Sequence, residues 1–272
     1  MGVKDYFMLL RPLNCLIAGI ASLIGFWIAS GKILLNDYAL LAFLAVFFVC
    51  GAGQAVNDYF DLEIDRKKKS KKPLVSGKVK PHDAFSFSMV LFLLGLVFAI
   101  FLGSLAFLIA LFMSLLLTAY SAFPKLKFLG NWIVALGTAM TLLFGAAIAG
   151  NFGIVVWLFP AMLFANVARE LIKDLEDLHA DKGVKKTLPS MIGVKRSKYI
   201  IAAVYALAII FSYYAFSFGI VKSYFYLLFV SMAAVIFLLS VRSVGKNNFS
   251  KAQSLAKLGM VFALLAYFAV LF

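Results

Sequence analysis

The sequence predicts an all-α, polytopic membrane protein that crosses the bilayer nine times. Its 272 residues are 64% hydrophobic and only 14% charged, a balance far outside the range of soluble domains. Nine apolar runs also approach the length of about 20 residues that a helix needs to cross a bilayer. A soluble chain of this length would gather its apolar residues into one or two cores and would not repeat such runs. We therefore interpret residues 1–272 as one intramembrane domain.

The apolar runs also predict how the helices are connected. The Gly-Ser pair at 103–104 and the stretch Gly-Asn-Phe-Gly at 150–153 are so short that the helices on either side must be antiparallel neighbours. The two long polar connections, 58–83 and 170–198, are predicted to be loops with helical segments on the cytoplasmic side. The predicted spans are residues 13–30, 38–57, 84–101, 104–120, 131–149, 152–169, 199–219, 223–241 and 256–272.

The distribution of lysine and arginine predicts the orientation of the chain. If the N-terminus lies inside, 24 of the 26 Lys and Arg residues fall on the inner side, and the outward connections hold only Lys32 and Lys222. Because cytoplasmic loops carry the excess of cations, the sequence predicts a multi-pass protein of the cell membrane with a cytoplasmic N-terminus and an external C-terminus. The net charge of +14 then reflects topology and attraction to anionic membrane lipids, and nucleic acid is not an expected partner.

The acidic residues are concentrated in two short clusters at the ends of the second and sixth spans. Both spans are even-numbered, so both clusters reach the cytoplasmic side, where we expect the active site. At about 100° of rotation per residue, each cluster forms a stripe on one helix face, while Glu63 and Glu176 point away. The first stripe contains Asn57, Asp58, Asp61 and Asp65, and the second contains Asn166, Glu170, Asp174, Asp177 and Asp181.

Two facing rows of carboxylates are typical of a magnesium-diphosphate site. Stacked carboxylates repel one another on a helix, so cations must offset them. Magnesium takes one or two carboxylates and completes its coordination shell with water and substrate phosphate oxygens. The alternative is that each cluster is an ordinary solvated helix end. Two matching stripes, each followed by a lysine-rich loop, favour the diphosphate site.

Three segments carry a resemblance to a known family. The stretch NDYFDLEID at 57–65 matches an NDxxDxxxD motif, DLEDLHAD at 174–181 is similar to a DxxxD-type second motif, and YSAFPKLK at 120–127 is similar to a tyrosine-to-lysine segment. All three are motifs of the UbiA superfamily of intramembrane prenyltransferases, which the whole chain resembles. The resemblance implies nine helices packed around a central cavity and Mg2+-dependent transfer of an isoprenyl group from an allylic diphosphate donor.

The resemblance also implies roles for individual residues. Asp58 would support a metal ligand or a lysine. Tyr120 would contact the diphosphate together with one of two lysines, although an interfacial belt position is the alternative for Tyr120. The residues expected to bind the metal-bound diphosphate are Asn57, Asp61, Asp65, Asp174, Asp177 and Asp181, the five aspartates being the metal ligands. The two candidate lysines, between which the sequence does not decide, are Lys125 and Lys127.

Two residues at the start of the first span are candidates for binding an anionic group. Arg11 and Asn14 lie in an Arg-Pro-x-x element similar to one that opens the first helix in the family. For Arg11 the alternative is an ordinary cytoplasmic flanking charge. Arg169, in contrast, points away from the second acidic stripe on the helical wheel and is predicted to be structural.

The acceptor is predicted from a finer resemblance. The segment LLRPLNCLIAGIASLIGFWIASG at 9–31, together with NDYFDLEID, most resembles the archaeal family members that build ether lipids. This implies transfer from geranylgeranyl diphosphate to the free hydroxyl of geranylgeranylglyceryl phosphate, a lipid phosphate acceptor, through a cation-like allylic transition state. The alternative is prenylation of an aromatic quinone precursor such as 4-hydroxybenzoate or a naphthoate. A divalent-cation channel or transporter is a remote alternative, because no span carries a central charge.

Overall fold

The protein is a bundle of helices. The computed structural model describes residues 2–67, 70–123, 129–178 and 187–272, and all regular secondary structure within those ranges is helical. In chain order the helices are α1 (Val3–Leu10), α2 (Pro12–Ser30), α3 (Asp37–Phe60), α4 (Leu62–Lys67), α5 (Pro81–Ile100), α6 (Ser104–Ala122), α7 (Gly130–Ala149), α8 (Gly153–Glu176), α9 (Leu188–Ile192), α10 (Val194–Ser217), α11 (Tyr224–Gly245) and α12 (Phe249–Ala269).

Nine of the helices in the described ranges are long and apolar enough to cross a membrane, as predicted. They are α2, α3, α5, α6, α7, α8, α10, α11 and α12. Large apolar side chains lie on the outside of the bundle, such as Leu115 at 63% and Ile210 at 59% exposure. Such surfaces would be unfavourable in water, whereas lipid chains cover them in a bilayer. The fold is therefore that of a multi-pass membrane protein.

At the ends that carry most of the charged residues, the helices extend further than the apolar runs predict. Helix α3 continues to Phe60, α8 continues to Glu176, and α12 begins at Phe249 rather than at 256. The predicted loops 58–83 and 170–198 therefore begin within helices, which corrects their boundaries. The physical reason is that apolar runs report the hydrocarbon layer, while helical hydrogen bonds continue with polar residues into the head-group region.

Helices α2 and α7 are in direct backbone contact. A Cβ atom added to Gly145 would lie 2.2 Å from the carbonyl oxygen of Ser22, and one added to Gly25 would lie 2.4 Å from the carbonyl oxygen of Leu142. Small residues that let backbones approach are the usual basis of helix association in lipid, where apolar burial gives no driving force. This contact fixes α2 relative to α7.

Helix α1 is a short helix that packs against α3 before the first span. Arg11 joins α1 to α2 with φ 49° and ψ 65°, in the left-handed region that non-glycine residues seldom occupy. Leu9 and Leu10 are buried, whereas Phe7 and Met8 are 57% and 49% exposed. The turn at Arg11 therefore holds α1 beside the end of α3 with one apolar face outward.

Candidate active site

The first acidic cluster lies where α3 ends. Asp61 is the residue after the last turn of α3, and its backbone N–H donates to the carbonyl of Asn57 over 2.9 Å. The Asn57 side chain returns a hydrogen bond from Nδ2 to Oδ2 of Asp61 over 3.2 Å. The backbone N–H of Asp65 donates to the Asp61 carbonyl over 2.8 Å, so helical geometry continues almost unbroken into α4. Asn57, Asp61 and Asp65 therefore follow one another at nearly helical spacing, from α3 into α4.

Two carboxylates of this cluster are paired with cations. Asp58 is 2% exposed, and its Oδ1 accepts hydrogen bonds from Arg11 Nη2 and Lys72 Nζ, each over 2.7 Å. The same Lys72 Nζ lies 2.7 Å from Oδ2 of Asp65, which is also buried. Buried charges persist when they are paired and hydrogen-bonded in this way. Asp58 therefore contacts a lysine, one of its two expected functions, while metal binding by Asp65 stays a prediction.

The second acidic cluster lies in the last turns of α8. Asp174 is buried, and its Oδ2 accepts a hydrogen bond from Nδ2 of Asn131 over 2.9 Å. Glu170 is buried one turn earlier and forms an ion pair with Arg169. The expectation that Arg169 points away from the acidic residues is wrong, because its long side chain reaches along the helix surface to Glu170. Asp177 is the half-buried residue that follows α8, and Asp181 lies outside the described residues.

Two glutamates point away from the site, as the helical wheel predicts. Glu63 has a side chain that is 76% exposed and pairs with Arg66 over 2.7 Å on the same short helix. Glu176 is also exposed, at the last position of α8. Glu63 and Glu176 therefore face solvent and do not belong to the acidic faces that form the site.

Tyr120 brings the two acidic clusters together. It lies in the last turn of α6 and is buried, and its hydroxyl lies within electrostatic range of Asp61, Glu170 and Asp174. A Cβ atom on Gly130 would lie 2.7 Å from the same hydroxyl, so the Tyr120 ring rests against the first residue of α7. The ends of α3, α6 and α8 and the start of α7 therefore converge on one place. The predicted partners Lys125 and Lys127 lie outside the described residues.

The sequence patterns do not predict the roles of three residues near the site, Asn131, Gln54 and Lys72. Asn131, buried beside Gly130, orients Asp174. Gln54 accepts a hydrogen bond from Asn14 over 3.1 Å and so joins α2 to α3. Asn131 and Gln54 are polar residues at the edge of otherwise apolar spans, which is the one sequence signal for them. Lys72 belongs to a lysine-rich run in which the sequence does not distinguish one lysine from another.

The donor atoms at this site are hard oxygens. Across the ranges that the structure describes, no three or more His, Cys, Asp or Glu side chains form a self-contained metal site. Magnesium needs no such self-contained group, because it takes one or two protein carboxylates and draws its remaining ligands from water and substrate phosphate. The residues present therefore fit the metal chemistry that the sequence predicts.

An open cleft adjoins the end of α3, and we refer to it as the Arg11 cleft. It has a volume of about 340 Å³. Its lining residues are Met8, Arg11, Asp58, Ser70, Lys71, Lys72 and Pro73. A second, smaller cavity of about 50 Å³ lies within the membrane region among α8, α10, α11 and α12. Asn166 lines this second cavity and donates from Nδ2 to the carbonyl of Met162 over 2.9 Å.

Known proteins resemble this chain along its whole length. A family model described as the UbiA prenyltransferase family matches residues 18–266. A digeranylgeranylglyceryl phosphate synthase from Methanosarcina mazei is 39% identical over 288 residues, covering 98% of each chain. A solved structure of a digeranylgeranylglyceryl phosphate synthase in membranes superposes with a TM-score of 0.82 at 34% identity, covering 99% of this chain and 98% of that one. A UbiA homologue from Archaeoglobus fulgidus bound to GPP and Mg2+ superposes with a TM-score of 0.72 at 20% identity, covering 98% and 99%.

Proposed function

This chain belongs to the UbiA prenyltransferase family, and from that premise we propose that it transfers a geranylgeranyl group from geranylgeranyl diphosphate to the free hydroxyl of geranylgeranylglyceryl phosphate. The product is digeranylgeranylglyceryl phosphate, an ether lipid precursor of archaeal membranes. The observation that carries the proposal is the convergence of the acidic helix ends, shown by the contact of Tyr120 with Gly130 and by the hydrogen bond of the next residue, Asn131, to Asp174. The choice of acceptor is supported by full-length relatives that bear the name of this synthase.

Divalent metal ions belong to the proposal. The Archaeoglobus fulgidus homologue with the same fold is bound to GPP and Mg2+. In this chain the residues that would hold Mg2+ are the aspartates of the two clusters, Asp61, Asp65, Asp174, Asp177 and Asp181. Bound magnesium neutralises the diphosphate charge and so makes diphosphate a better leaving group.

Side chains of the protein orient the groups that would take part in the reaction. Asn57 and Asn131 each donate a hydrogen bond to one carboxylate, of Asp61 and Asp174 respectively, and so fix the direction of its oxygens. Tyr120 lies within electrostatic range of both clusters, and an aromatic ring at such a place can stabilise a positively charged allylic carbon. Because the site is walled by membrane helices, water competes poorly with the acceptor for that carbon.

The proposed reaction is a substitution at the allylic carbon. The bond between that carbon and the diphosphate oxygen breaks, and the acceptor hydroxyl oxygen forms a new ether bond to the same carbon. The hydroxyl proton leaves on the released diphosphate or on a carboxylate of the site. No acid catalyst is required, because ionisation of the donor precedes capture by the acceptor.

The proposed orientation places the site and the N-terminus in the cytoplasm and the C-terminus outside. Its support is the excess of Lys and Arg on the site side of the helices. Cysteine accessibility can test this orientation. A cysteine that replaces Lys78 should react with a membrane-impermeant reagent only when that reagent has access to the cytoplasmic face.

The decisive experiment offers purified protein each acceptor in turn. Protein in lipid nanodiscs is incubated with Mg2+ and geranylgeranyl diphosphate, and products are identified by mass spectrometry. We expect the ether product with geranylgeranylglyceryl phosphate. Product formed with 4-hydroxybenzoate or a naphthoate, and none with the lipid phosphate, would contradict the proposed acceptor.

A further inference from the structure

The Arg11 cleft is rich in cations. Arg11, Lys71 and Lys72 line it together with the Ser70 hydroxyl, and Asp58 is the acidic residue of the lining. Lys71 is exposed and makes none of the ion pairs found among the described residues. The cleft therefore carries excess positive charge on side chains that reach solvent, and it suits an anion.

Two buried carboxylates hold the cations in place. Oδ1 of Asp58 accepts from both Arg11 and Lys72, and Asp65 accepts from Lys72, all over 2.7 Å. A guanidinium has five N–H donors and an ammonium has three, so both cations keep donors for a ligand. Because their positions are already fixed, an arriving anion is bound with little loss of side-chain entropy.

The cleft adjoins the place where the two acidic clusters meet, and Asp65, which accepts from Lys72 of the cleft, borders both. The carboxylates that act on Tyr120 are those of Asp61, Glu170 and Asp174, whereas Asp58 faces Arg11 and Lys72. A carboxylate-rich site binds phosphate through metal ions, whereas fixed arginine and lysine side chains bind phosphate directly. The two sites adjoin, because Asn57 and Asp58 are consecutive residues of α3.

The surroundings of the cleft indicate that its ligand comes from the membrane. Phe7 and Met8 precede Arg11 with 57% and 49% exposure, and Leu13 follows it with 67% exposure. Met8 also lines the cleft itself. Exposed apolar side chains beside a charged group are typical of a helix at the boundary between head groups and acyl chains. A ligand bound beside these side chains would have its phosphate at the level of the lipid head groups.

Resting on the proposed function, we infer that the Arg11 cleft binds the phosphate monoester of the lipid acceptor directly through cations. The donor diphosphate occupies the neighbouring carboxylate site. This arrangement places two phosphate groups side by side without a shared metal ion. The acceptor phosphate then serves as the anchor that presents the free hydroxyl to the donor.

Lys71→Glu is the variant that tests this site, because Lys71 lines the cleft without supporting a buried carboxylate. We expect its KM for geranylgeranylglyceryl phosphate to rise about tenfold, since one attraction is replaced by a repulsion of similar size. Its KM for geranylgeranyl diphosphate, and its rate with the phosphate-free alcohol as acceptor, should stay unchanged. Lys78→Glu is the matched control, because Lys78 is an exposed lysine of the same segment that does not line the cleft.

Two results would overturn the inference. If Lys71→Glu raises the KM for the donor and not for the acceptor, the cleft serves the diphosphate. If Lys71→Glu loses activity equally with the phosphorylated and the phosphate-free acceptor, the cleft does not recognise phosphate. The same holds if its activity equals that of Lys78→Glu with both acceptors.

A binding measurement in EDTA separates this inference from the proposed function. Calorimetric titration with geranylgeranylglyceryl phosphate should show metal-free binding that Lys71→Glu weakens, and glycerol phosphate should bind much more weakly. Equal binding of glycerol phosphate would overturn the lipid source. If metal-free lipid binding persists but the protein prenylates only an aromatic acceptor, the proposed function fails and the cleft stands. If transfer to the lipid proceeds without any effect of Lys71→Glu, the function stands and the cleft assignment fails.

Discussion

Nδ2 of Asn131 donates a hydrogen bond to Oδ2 of Asp174 over 2.9 Å and joins the start of α7 to the last turns of α8. Both side chains are buried, so this hydrogen bond contributes to the orientation of the Asp174 carboxylate. Asn131→Ala should lower kcat/KM by about 10- to 100-fold and raise the Mg2+ concentration needed for half-maximal rate, as loss of a supporting hydrogen bond does elsewhere. Asn151→Ala is a control at the other end of α7, and an equal change in its Mg2+ dependence would contradict the assignment.

The inward-facing aspartates Asp61 and Asp174 should matter far more than the outward-facing glutamates Glu63 and Glu176. Asp61→Asn and Asp174→Asn each remove a carboxylate from the site, and we expect transfer rates to fall by at least about 100-fold. Glu63→Gln and Glu176→Gln alter exposed side chains and should change the rate less than about twofold. Initial rates with saturating donor and acceptor measure this difference. Comparable losses for both pairs would mean that the helical face does not define the site.

Gly130 should tolerate no side chain. A Cβ atom there would lie 2.7 Å from the Tyr120 hydroxyl, so Gly130→Ala must displace the Tyr120 ring. We expect a loss of activity of about tenfold or more with the protein still folded. Gly137→Ala is the matched control on α7, because its Cβ would meet only the flexible end of Met113 at 3.3 Å. Full activity of Gly130→Ala would show that the position of Tyr120 is unimportant.

Removing divalent metal should abolish transfer without unfolding the protein. Dialysis against EDTA is expected to eliminate product formation, and Mg2+ should restore it. In the presence of geranylgeranyl diphosphate, Mg2+ should also raise Tm in a thermal unfolding assay, since a ligand that binds only the folded state stabilises it. Asp61→Asn should lose this increase in Tm. Undiminished transfer in EDTA would contradict a metal-bound donor.

Replacing Asp58 should lower the thermal stability of the protein. Its buried carboxylate pairs with Arg11 and Lys72, so Asp58→Ala leaves two cations without their shared partner. We expect Tm to fall by several degrees, and Asp58→Glu to recover part of the loss. Circular dichroism during heating measures the change. An unchanged Tm for Asp58→Ala would show that the ion cluster contributes nothing to folding.

Much of this architecture follows from short-range patterns in the sequence. Apolar run lengths predict the nine spans, and helical periodicity predicts that Asp61 and Asp174 face inward while Glu63 faces solvent. Side-chain contacts between different segments are different, because they depend on packing that no local pattern encodes. The pairing of Asn131 with Asp174, 43 residues apart, and of Lys72 with both Asp58 and Asp65 are such contacts. The position of Arg169 escaped prediction because a long side chain does not follow the direction of its Cβ.

The contact of Gly25 with α7 and of Gly145 with α2 has a mechanical consequence. Each glycine lies 14 residues beyond the site residue of its helix, Arg11 or Asn131, a distance of about 21 Å at 1.5 Å per residue. With no side chains between the backbones, the two helices are least able to separate here. A rotation of about 5° around this contact would move the site ends by roughly 2 Å over that length. The glycine contact therefore limits how far the ends of α2 and α7 at the site can move apart, although it lies deep in the membrane.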